Sequence, residues 1–370
     1  MKNRLYLRQL SLMILMLMVL TSSCIAGNAP KNIIFLIGDG MGIGQVTAGR
    51  CEGPGTLGRL AMDTMPFTGF SITHPAKVSG IVTDSAAAGT ALATGVKTTN
   101  GTISLDPDGN RIKSILELAR DMGKATGIVT TKPVTDATPA VFVAHVKNRG
   151  MQTDIAAQMI ACRPNVILGG GKNLFTPKAD GGAREDGLNL LDDAKKRGYD
   201  VFYTLDAMNS STSLRIMGLF APDIMTSNRP EPTIAEMTSK AVETLSKCSK
   251  GFFVMSEGGK IDSCCHGNDA AGEVKELLMF DDAVRAALDF AKKDGNTLVV
   301  VTADHETGGL AVQDISPEHP KFSAGWVSKG HSANMVPIYA YGPGAERFTG
   351  THENTDIPRT FAALWGQKLN

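Results

Sequence analysis

The chain has 370 residues, of which 42% are hydrophobic, and its 37 basic residues balance 37 acidic ones. This hydrophobic fraction and the 40 glycines are typical of an ordered globular enzyme and exclude a disordered chain. Because there is neither a net positive charge nor a basic run with interleaved aromatic residues, we expect no nucleic-acid partner.

The N-terminus has the pattern of an export signal. Three basic residues precede an apolar run at 10–20, which is too short to be a good membrane span. Residues 21–24 resemble a bacterial lipobox ending at Cys24, although the usual leucine is absent. Residues 1–26 are therefore either a lipoprotein signal, which leaves a lipid anchor on Cys24, or a signal peptide cleaved near Ala26. Both interpretations predict an exported protein, periplasmic or held at the outer membrane or cell surface.

Six apolar runs share one form, because each ends in a polar residue or a glycine. They cover residues 32–37, 126–130, 165–168, 251–255, 297–302 and 336–340. Runs this uniformly apolar are typical of strands buried on both faces of a parallel sheet. Helical patterns lie between them, at 86–93, 114–122, 155–162, 234–246 and 273–293. The alternation predicts a doubly wound α/β fold, with a mostly parallel central sheet and helices on both faces.

Two stretches, 172–189 and 312–329, carry no strand pattern. They are interpreted as surface loops or small excursions, where substrate contacts are usually found. No internal repeat or linker divides the chain, so residues 31–370 are predicted to form one domain.

The cysteines indicate no zinc-finger motif. Five follow the targeting segment: Cys51, Cys162, Cys248, Cys264 and Cys265. An odd number in an exported protein leaves at least one thiol free or intermolecular. Cys264 and Cys265 stand between candidate metal ligands, but we interpret them as small buried residues.

Ser85 follows a short apolar run and precedes the predicted helix at 86–93. This junction places its hydroxyl at a helix N-terminus, where backbone N–H groups favour an anion. A serine is a poor nucleophile unless a base or a metal activates it, and no base follows nearby. The pattern therefore predicts metal-activated attack by Ser85.

Several ionisable residues follow the predicted strands. Asp39, Glu257, Asp304 and His305 all come directly after, or close to, the end of an apolar run. In doubly wound sheets the ligand site lies beyond the carboxyl ends of the strands. Two ionisable groups that close a buried strand are costly unless they are paired or coordinated. We therefore expect these residues to form one metal site.

A second candidate group includes Asp262 and His266, which are four residues apart and would share one face of a helical turn. A carboxylate and an imidazole at this spacing form a reasonable half of a zinc site, although ordinary surface pairs have the same spacing. His331 could supply another imidazole, but a single loop histidine is more often a surface residue.

The glycine-rich segment at 38–44 does not fit a nucleotide-binding loop. The third glycine of a dinucleotide motif is replaced by Ile43, and no P-loop lysine follows. Glycines that let the backbone fold tightly around Asp39 explain the segment better.

Five segments of the chain resemble motifs of the alkaline phosphatases, in the same order along the sequence. They are residues 32–42, 82–90, 136–139, 257–266 and 302–305. The resemblance covers nearly everything from residue 31 onwards and implies an alkaline-phosphatase-like catalytic domain. It implies a broad-specificity phosphate-monoester hydrolase that scavenges phosphate. The reaction would pass through a phosphoseryl intermediate on Ser85 and release inorganic phosphate.

The resemblance also implies two zinc ions. The ligands of the first would be Asp262, His266 and His331. Those of the second would be Asp39, Asp304 and His305, with Ser85 as a further ligand. Two metals about 4 Å apart can stabilise the attacking and leaving oxygens together. Because protonation of histidine ligands releases metal, we expect activity at neutral to alkaline pH and its loss in acid.

A magnesium site and a phosphate-binding residue follow from the same resemblance. Asp39 would bridge to one magnesium ion held by Thr138 and Glu257. Asp136 matches the enterobacterial enzymes, which favours water-mediated magnesium over a third zinc. Arg149 would bind two phosphate oxygens, because its planar guanidinium donates to both. Without the resemblance, Arg149 would be interpreted as a solvated arginine.

The chain departs from the family pattern in two places. Ser263 stands where the enterobacterial enzymes have lysine and the animal enzymes have histidine. That residue normally adds positive charge near the phosphate, so we expect weaker inhibition by product phosphate. The stretch from His305 to His331 is short, which predicts a reduced surface insertion. Since that region contributes to the family's dimer interface, a monomer and a homodimer both stay open.

Three other functions fit the residues less well. A sulfatase is disfavoured because the residues after Ser85 do not match the Cys/Ser-x-Pro-x-Arg motif. A phosphodiesterase of the same superfamily is disfavoured because such enzymes usually have threonine as nucleophile and lack the third metal site. A non-catalytic surface protein that binds metal or phosphate would not require Ser85 and Arg149 to be present together with every ligand.

Overall fold

The computed structural model describes residues 29–52, 58–313 and 322–370. The predicted export signal and Cys24 lie outside these residues. In the described part of the chain, no helix combines the length and the apolar character that a membrane span needs.

The described residues contain fourteen strands. In chain order they are β1 (Asn32–Gly38), β2 (Phe67–Ile72), β3 (Ala125–Pro133), β4 (Val166–Gly170), β5 (Asp200–Phe202), β6 (Ile216–Leu219), β7 (Phe252–Gly258), β8 (Thr297–Thr302), β9 (Glu306–Thr307), β10 (Ala311–Gln313), β11 (Ser323–Gly325), β12 (His331–Ser332), β13 (Val336–Tyr341) and β14 (Gly350–Glu353).

Eleven α-helices connect these strands in the same part of the chain. They are α1 (Ile43–Glu52), α2 (Ser85–Thr94), α3 (Ile115–Asp121), α4 (Ala137–Ala140), α5 (Gln152–Cys162), α6 (Leu190–Lys196), α7 (Leu205–Ser210), α8 (Ile234–Leu245), α9 (Lys260–Gly267), α10 (Ala270–Asp294) and α11 (Asp356–Leu364).

Ten strands form the central sheet, in the order β14-β2-β13-β8-β1-β7-β3-β4-β6-β5. Neighbouring strands are parallel except at β13, which is antiparallel to both β2 and β8. Two small antiparallel pairs, β10 with β11 and β9 with β12, lie outside this sheet. The predicted mostly parallel α/β sheet is confirmed.

Strand β1 shows how the sheet separates two hydrophobic cores. All seven of its residues are buried, and successive side chains point to opposite faces. Ile33, Phe35 and Ile37 pack in one core with residues of α2, α3, α5 and α11. Ile34 and Leu36 pack in the other with residues of α1, α8 and α10. Helices therefore cover both faces, which explains why this strand is apolar without alternation.

The six predicted strands are present as β1, β3, β4, β7, β8 and β13, and the five predicted helices as α2, α3, α5, α8 and α10. The stretch 172–189 contains only two short 3-10 helices, Lys172–Phe175 and Lys178–Asp180. The stretch 312–329 was predicted without strands, which is wrong at β11 and at the end of β10. All five cysteines in the described residues are free thiols, and Cys265 is buried while Cys264 is partly exposed.

Candidate active site

The candidate site lies at the carboxyl ends of neighbouring strands in the middle of the sheet. Ile37 of β1 lies beside Glu257 of β7 and beside Thr302 of β8. Asp39 and Asp304 each come two residues later, so both leave the sheet at the same edge. The topology therefore brings together acidic residues that are more than 200 positions apart in sequence.

The glycine-rich loop after β1 lets two other elements approach Asp39. Gly40 has φ of +72°, and a side chain there would lie 2.8 Å from Thr307 Oγ1 and 3.0 Å from the backbone of Asp262. The Gly40 N–H donates to Asp304 Oδ1 at 3.2 Å. The loop that carries Asp39 therefore packs tightly against Asp262 and Asp304.

The first ligand group consists of Asp39, Asp304 and His305. One ligand atom from each lies within 4.8 Å of the others, and all three residues are fully buried or nearly so. His305 Nε2 lies 3.2 Å from Asp304 Oδ2 and 3.5 Å from Asp39 Oδ1. The sequence predicts these three as the ligands of one zinc, and the structure places them together.

The electrostatics of the first ligand group suit a bound cation. Burial, followed by the charges of Asp304 and Asp262, raises the pKa of Asp39 well above its ordinary value. Asp39 Oδ1 and Asp304 Oδ2 are buried, and neither accepts a hydrogen bond from the described residues. Two buried carboxylates with oxygens that accept no hydrogen bond carry a large free-energy cost, which a metal ion can offset. The donor set of two carboxylates and one imidazole fits zinc.

The second ligand group consists of Asp262, His266 and His331. Asp262 and His266 lie on one face of α9, with Asp262 Oδ1 3.2 Å from His266 Nε2. His331 on β12 brings its Nε2 to 3.6 Å from the same oxygen and 3.3 Å from His266 Nε2. These three residues, which the sequence also predicts as a zinc site, therefore converge on one point.

Backbone carbonyls orient both imidazoles of the second ligand group. His266 Nδ1 lies 2.5 Å from the Lys329 carbonyl oxygen, and His331 Nδ1 lies 2.8 Å from that of Thr83. Because a carbonyl only accepts, the ring hydrogen of each neutral histidine belongs on Nδ1. The two Nε2 lone pairs then face each other and Asp262. Three acceptors this close suit a cation between them, and the outer hydrogen bonds are those that zinc-binding histidines use.

The two ligand groups are in direct contact. Strand β12 pairs with β9 so that His331 lies opposite Thr307, and the rings of His305 and His331 stack with centroids 3.6 Å apart. Thr307 Oγ1 donates to Asp262 Oδ1 at 2.7 Å and lies 3.2 Å from His305 Nδ1. Burial alone would raise the pKa of Asp262, but hydrogen bonding to His266 and the charge of His305 outweigh it and hold the pKa below its ordinary value.

Glu257 and Thr138 are the predicted magnesium ligands. Both are fully buried, and neither Glu257 Oε1 nor Thr138 Oγ1 has a hydrogen-bonding partner in the described structure. The other Glu257 oxygen accepts from Thr130 Oγ1 at 2.5 Å. Burial, followed by the charge of Asp136, raises the pKa of Glu257 to about 8. Free oxygen donors of this kind fit magnesium, which prefers oxygen ligands.

Ser85 is the first residue of α2, and its side chain is buried against the first ligand group. The N-cap residue Asp84 accepts from the Ala87 N–H at 2.9 Å, which fixes the start of the helix. Small side chains follow, so all ten residues of the helix are buried. Ser85 Oγ lies 3.2 Å from His305 Nε2. The predicted nucleophile is therefore within reach of any ion held by that group.

Two acidic residues hold Arg149, and one of them, Asp84, directly precedes Ser85. Its guanidinium contacts Asp84 Oδ2 at 3.4 Å and Asp136 Oδ1 at 3.3 Å. Asp84 Oδ2 also accepts from the Gly101 N–H at 2.9 Å, so the carboxylate that caps α2 is itself held in place. This arrangement leaves Arg149 partly exposed, with donors available to an anion near Ser85.

Two residues of the site are absent from the sequence prediction. Thr307 contacts both ligand groups, and nothing in its local sequence marks it. Lys132 is the last residue but one of β3, with a side chain that is only 12% exposed, and its Nζ lies 3.9 Å from Asp136 Oδ2. The rule that marks Asp304, an ionisable residue closing an apolar run, also applies to Lys132.

Comparison with known proteins gives a consistent result. A family model described as alkaline phosphatase matches residues 30–321 and 313–366. The alkaline phosphatase of Escherichia coli (strain K12) is 37% identical over an alignment 413 positions long. The alignment covers 91% of this chain and 86% of that protein.

Solved structures agree with this match. The alkaline phosphatase from the Antarctic bacterium TAB5 superposes with a TM-score of 0.82 at 35% identity, covering 91% of this chain and 98% of that one. A TAB5 variant with magnesium bound in its M3 site gives a TM-score of 0.81 at 34% identity, covering 92% and 99%. The chain therefore belongs to the alkaline phosphatase family, whose members are phosphoric monoester hydrolases.

Proposed function

We propose that this phosphomonoesterase transfers the phosphoryl group of its substrate to Ser85 and then hydrolyses the phosphoserine. The observation that carries the proposal is the buried Ser85 hydroxyl, 3.2 Å from Nε2 of His305 in the first ligand group. A serine at the first position of a buried helix also faces backbone N–H groups that favour an anion. Both features suit a nucleophile that attacks a phosphate.

We propose two zinc ions and one magnesium ion as cofactors. One zinc would be held by Asp262, His266 and His331, and the other by Asp39, Asp304, His305 and Ser85. The magnesium ion would be held by Thr138, Glu257 and Asp39, an assignment supported by the unpartnered Thr138 and Glu257 oxygens. The magnesium in the M3 site of the TAB5 variant is a precedent in a similar protein. When bound, such ions lower the pKa of coordinated hydroxyl groups and stabilise developing negative charge.

The protein's own residues divide the work of binding and transfer. Arg149 would bind two phosphate oxygens through its planar guanidinium, with Asp84 and Asp136 setting its orientation. Ser85 Oγ would attack phosphorus while the bond between phosphorus and the ester oxygen breaks. The ester oxygen takes up a proton and leaves as the hydroxyl group of the alcohol. Water would then cleave the bond between Ser85 and phosphorus, which releases inorganic phosphate and restores the hydroxyl. Each half of the cycle is one displacement at phosphorus.

The remaining parts of the proposal concern the whole protein. We propose that residues 31–370 form one catalytic domain and that residues 1–26 direct export, with either a lipid on Cys24 or cleavage near Ala26. The protein would then act in the periplasm or at the outer membrane or cell surface, on small phosphate monoesters. Mass spectrometry of the mature protein decides between the two signals, and light scattering decides between monomer and homodimer.

The test compares p-nitrophenyl phosphate with bis-p-nitrophenyl phosphate from acid to alkaline pH. We expect alkaline turnover of the monoester, its loss after chelation, and its return with zinc plus magnesium. Ser85→Ala should abolish turnover, whereas Ser79→Ala, in the short 3-10 helix Lys77–Ser79 before α2, should not. Incubation with phosphate in acid should label Ser85, detected by mass spectrometry of peptides.

Two outcomes would contradict the proposal. Faster turnover of the diester would identify a phosphodiesterase. A metal-loaded protein that turns over neither ester and leaves Ser85 unlabelled would be a binding protein.

A further inference from the structure

Lys132 is a largely buried lysine, with a side chain 12% exposed, to which the proposed reaction gives no role. It lies near the end of β3, and its nearest carboxylate oxygen is Asp136 Oδ2, 3.9 Å from Nζ. Among the described residues, Nζ makes no hydrogen bond. A lysine this buried carries a free-energy cost unless surrounding charges compensate for it.

The turn after β7 accommodates the Lys132 side chain. Gly259 has φ of −76° and ψ of −12°, a conformation that any residue adopts, so the backbone does not require glycine. A side chain at this position, however, would lie 2.4 Å from Lys132 Cγ. Gly259 is therefore needed for space, and the space it leaves is filled by the stem of Lys132.

Negative charges surround the Lys132 ammonium group. Burial lowers its pKa, but nearby carboxylates more than offset this effect, so the pKa lies above its ordinary value. The carboxylates concerned are Asp39, Asp136, Asp262 and Glu257. The ion pair with Asp136, which is not a proposed metal ligand, supports a positive charge on Lys132. Three of these four residues belong to the proposed metal sites, and the fourth, Asp136, is the one closest to Nζ.

Asp136 is shared between two cations. Its Oδ2 lies 3.9 Å from Lys132, and its Oδ1 lies 3.3 Å from Arg149. Arg149 is held at its other end by Asp84. The four side chains thus form a row of alternating charge that ends at the helix carrying Ser85. The charge that Lys132 places on one side of Asp136 therefore weakens the attraction of Asp136 for Arg149 on the other side.

We propose that Lys132 is a positioning residue for phosphate binding, which balances the charge of Asp136 so that Arg149 can turn its guanidinium towards phosphate oxygens. The inference rests on the proposed role of Arg149. Without Lys132, the full charge of Asp136 would hold Arg149 and also repel the phosphate dianion. Both effects weaken phosphate binding, and neither requires Lys132 to touch the substrate.

The test uses Lys132→Met, which keeps an unbranched stem over Gly259 and removes the charge. For the metal-loaded protein we expect the Kd of inorganic phosphate, measured by calorimetry, to rise about tenfold, the scale of one partly screened charge pair near 4 Å. KM should rise while kcat changes less. Lys132→Arg should restore most of the affinity, and Lys113→Met, at an exposed lysine paired with Asp121, should have no effect.

A double-mutant cycle with Asp136→Asn identifies the route. If Lys132 acts through Asp136, Lys132→Met should change the phosphate Kd by less than about twofold in the Asp136→Asn background. An equal loss in both backgrounds would overturn the inference. So would an unchanged Kd in Lys132→Met, or a loss of affinity that follows a loss of zinc or magnesium measured by mass spectrometry.

The same experiment separates this inference from the proposed function. If the metal-loaded wild type forms phosphoserine and binds phosphate but Lys132→Met binds it equally well, only the inference fails. If the wild type does neither, the proposed function itself fails.

Discussion

The buried carboxyl group of Glu257 makes the stability of the metal-free protein depend on pH. Burial, followed by the charge of Asp136, raises its pKa from 4.5 to about 8. In the metal-free protein the folded state therefore keeps a proton that the unfolded chain releases between these pH values. The corresponding stability is fully present below about pH 4.5 and is lost as the pH rises through about 8. For this fully buried group the loss amounts to at most about 5 kcal/mol.

Glu257→Gln removes the ionisable group and keeps an oxygen that can accept from Thr130. With a chelator present, we expect the variant to match the wild type in urea unfolding near pH 5. Near pH 9 we expect it to be more stable, by at most about 5 kcal/mol. Added magnesium should reverse this order at pH 9, because it stabilises a folded state that keeps the carboxylate ligand. Equal effects of the substitution at both pH values would refute the reasoning.

Glu273 offers a matched control for this experiment. It is fully buried, neither of its carboxylate oxygens has a partner in the described structure, and burial alone raises its pKa well above the ordinary value. It belongs to neither ligand group and is not a proposed magnesium ligand. Glu273→Gln should therefore reduce the pH dependence of stability while leaving the stabilisation by magnesium intact. If magnesium stabilises Glu257→Gln as strongly as Glu273→Gln, Glu257 does not hold the ion.

Three other predictions concern phosphate and zinc. Ser263→Lys should lower the inhibition constant of inorganic phosphate, because it adds a positive charge beside Asp262; an unchanged constant would contradict this role for position 263. Arg149→Lys exchanges the planar guanidinium for a point charge, so KM for p-nitrophenyl phosphate, measured by saturation kinetics, should rise about tenfold. An unaltered KM would contradict the proposed role of Arg149. Hydrogen bonding to Asp262 raises the pKa of His266 above 6.5, so protons compete with zinc there. Zinc affinity in chelator competition should therefore be weaker near pH 6 than near pH 8, and equal affinities would argue against His266 as a ligand.

The sequence predicts the central strands well and the edges of the sheet poorly. Strands β1, β7 and β8 are buried on both faces, so they stand out as continuous apolar runs. Strand β2 alternates between buried and exposed residues, and β5 has only three residues, so neither gives such a run. Helix α1 has no acidic residue in its first turn and carries glycine and threonine, so its local sequence favours no helix. The helix is stabilised by the packing of its buried residues against the rest of the folded chain, which local sequence does not indicate.

The same limit applies to the site. Asp39, Asp304 and His305 are recognisable because charged residues that follow buried strands are costly unless they bind something. The contact between Thr307 and Asp262 spans 45 positions and depends on the pairing of β9 with β12, so local sequence cannot indicate it. Lys132 obeys the strand-end rule, but lysine is usually a solvated residue. Its importance becomes visible only when Gly259 and Asp136 are seen around it.

The position of Asp84 distinguishes a catalytic site from a metal store. One of its carboxylate oxygens accepts from Ala87 and so fixes the start of the helix that carries Ser85. Its other oxygen contacts Arg149 at 3.4 Å. A single side chain thus sets the separation between the nucleophile and the group that would bind phosphate oxygens. A protein that only stored metal would need the two ligand groups but not this connection, whereas phosphoryl transfer depends on that separation being fixed.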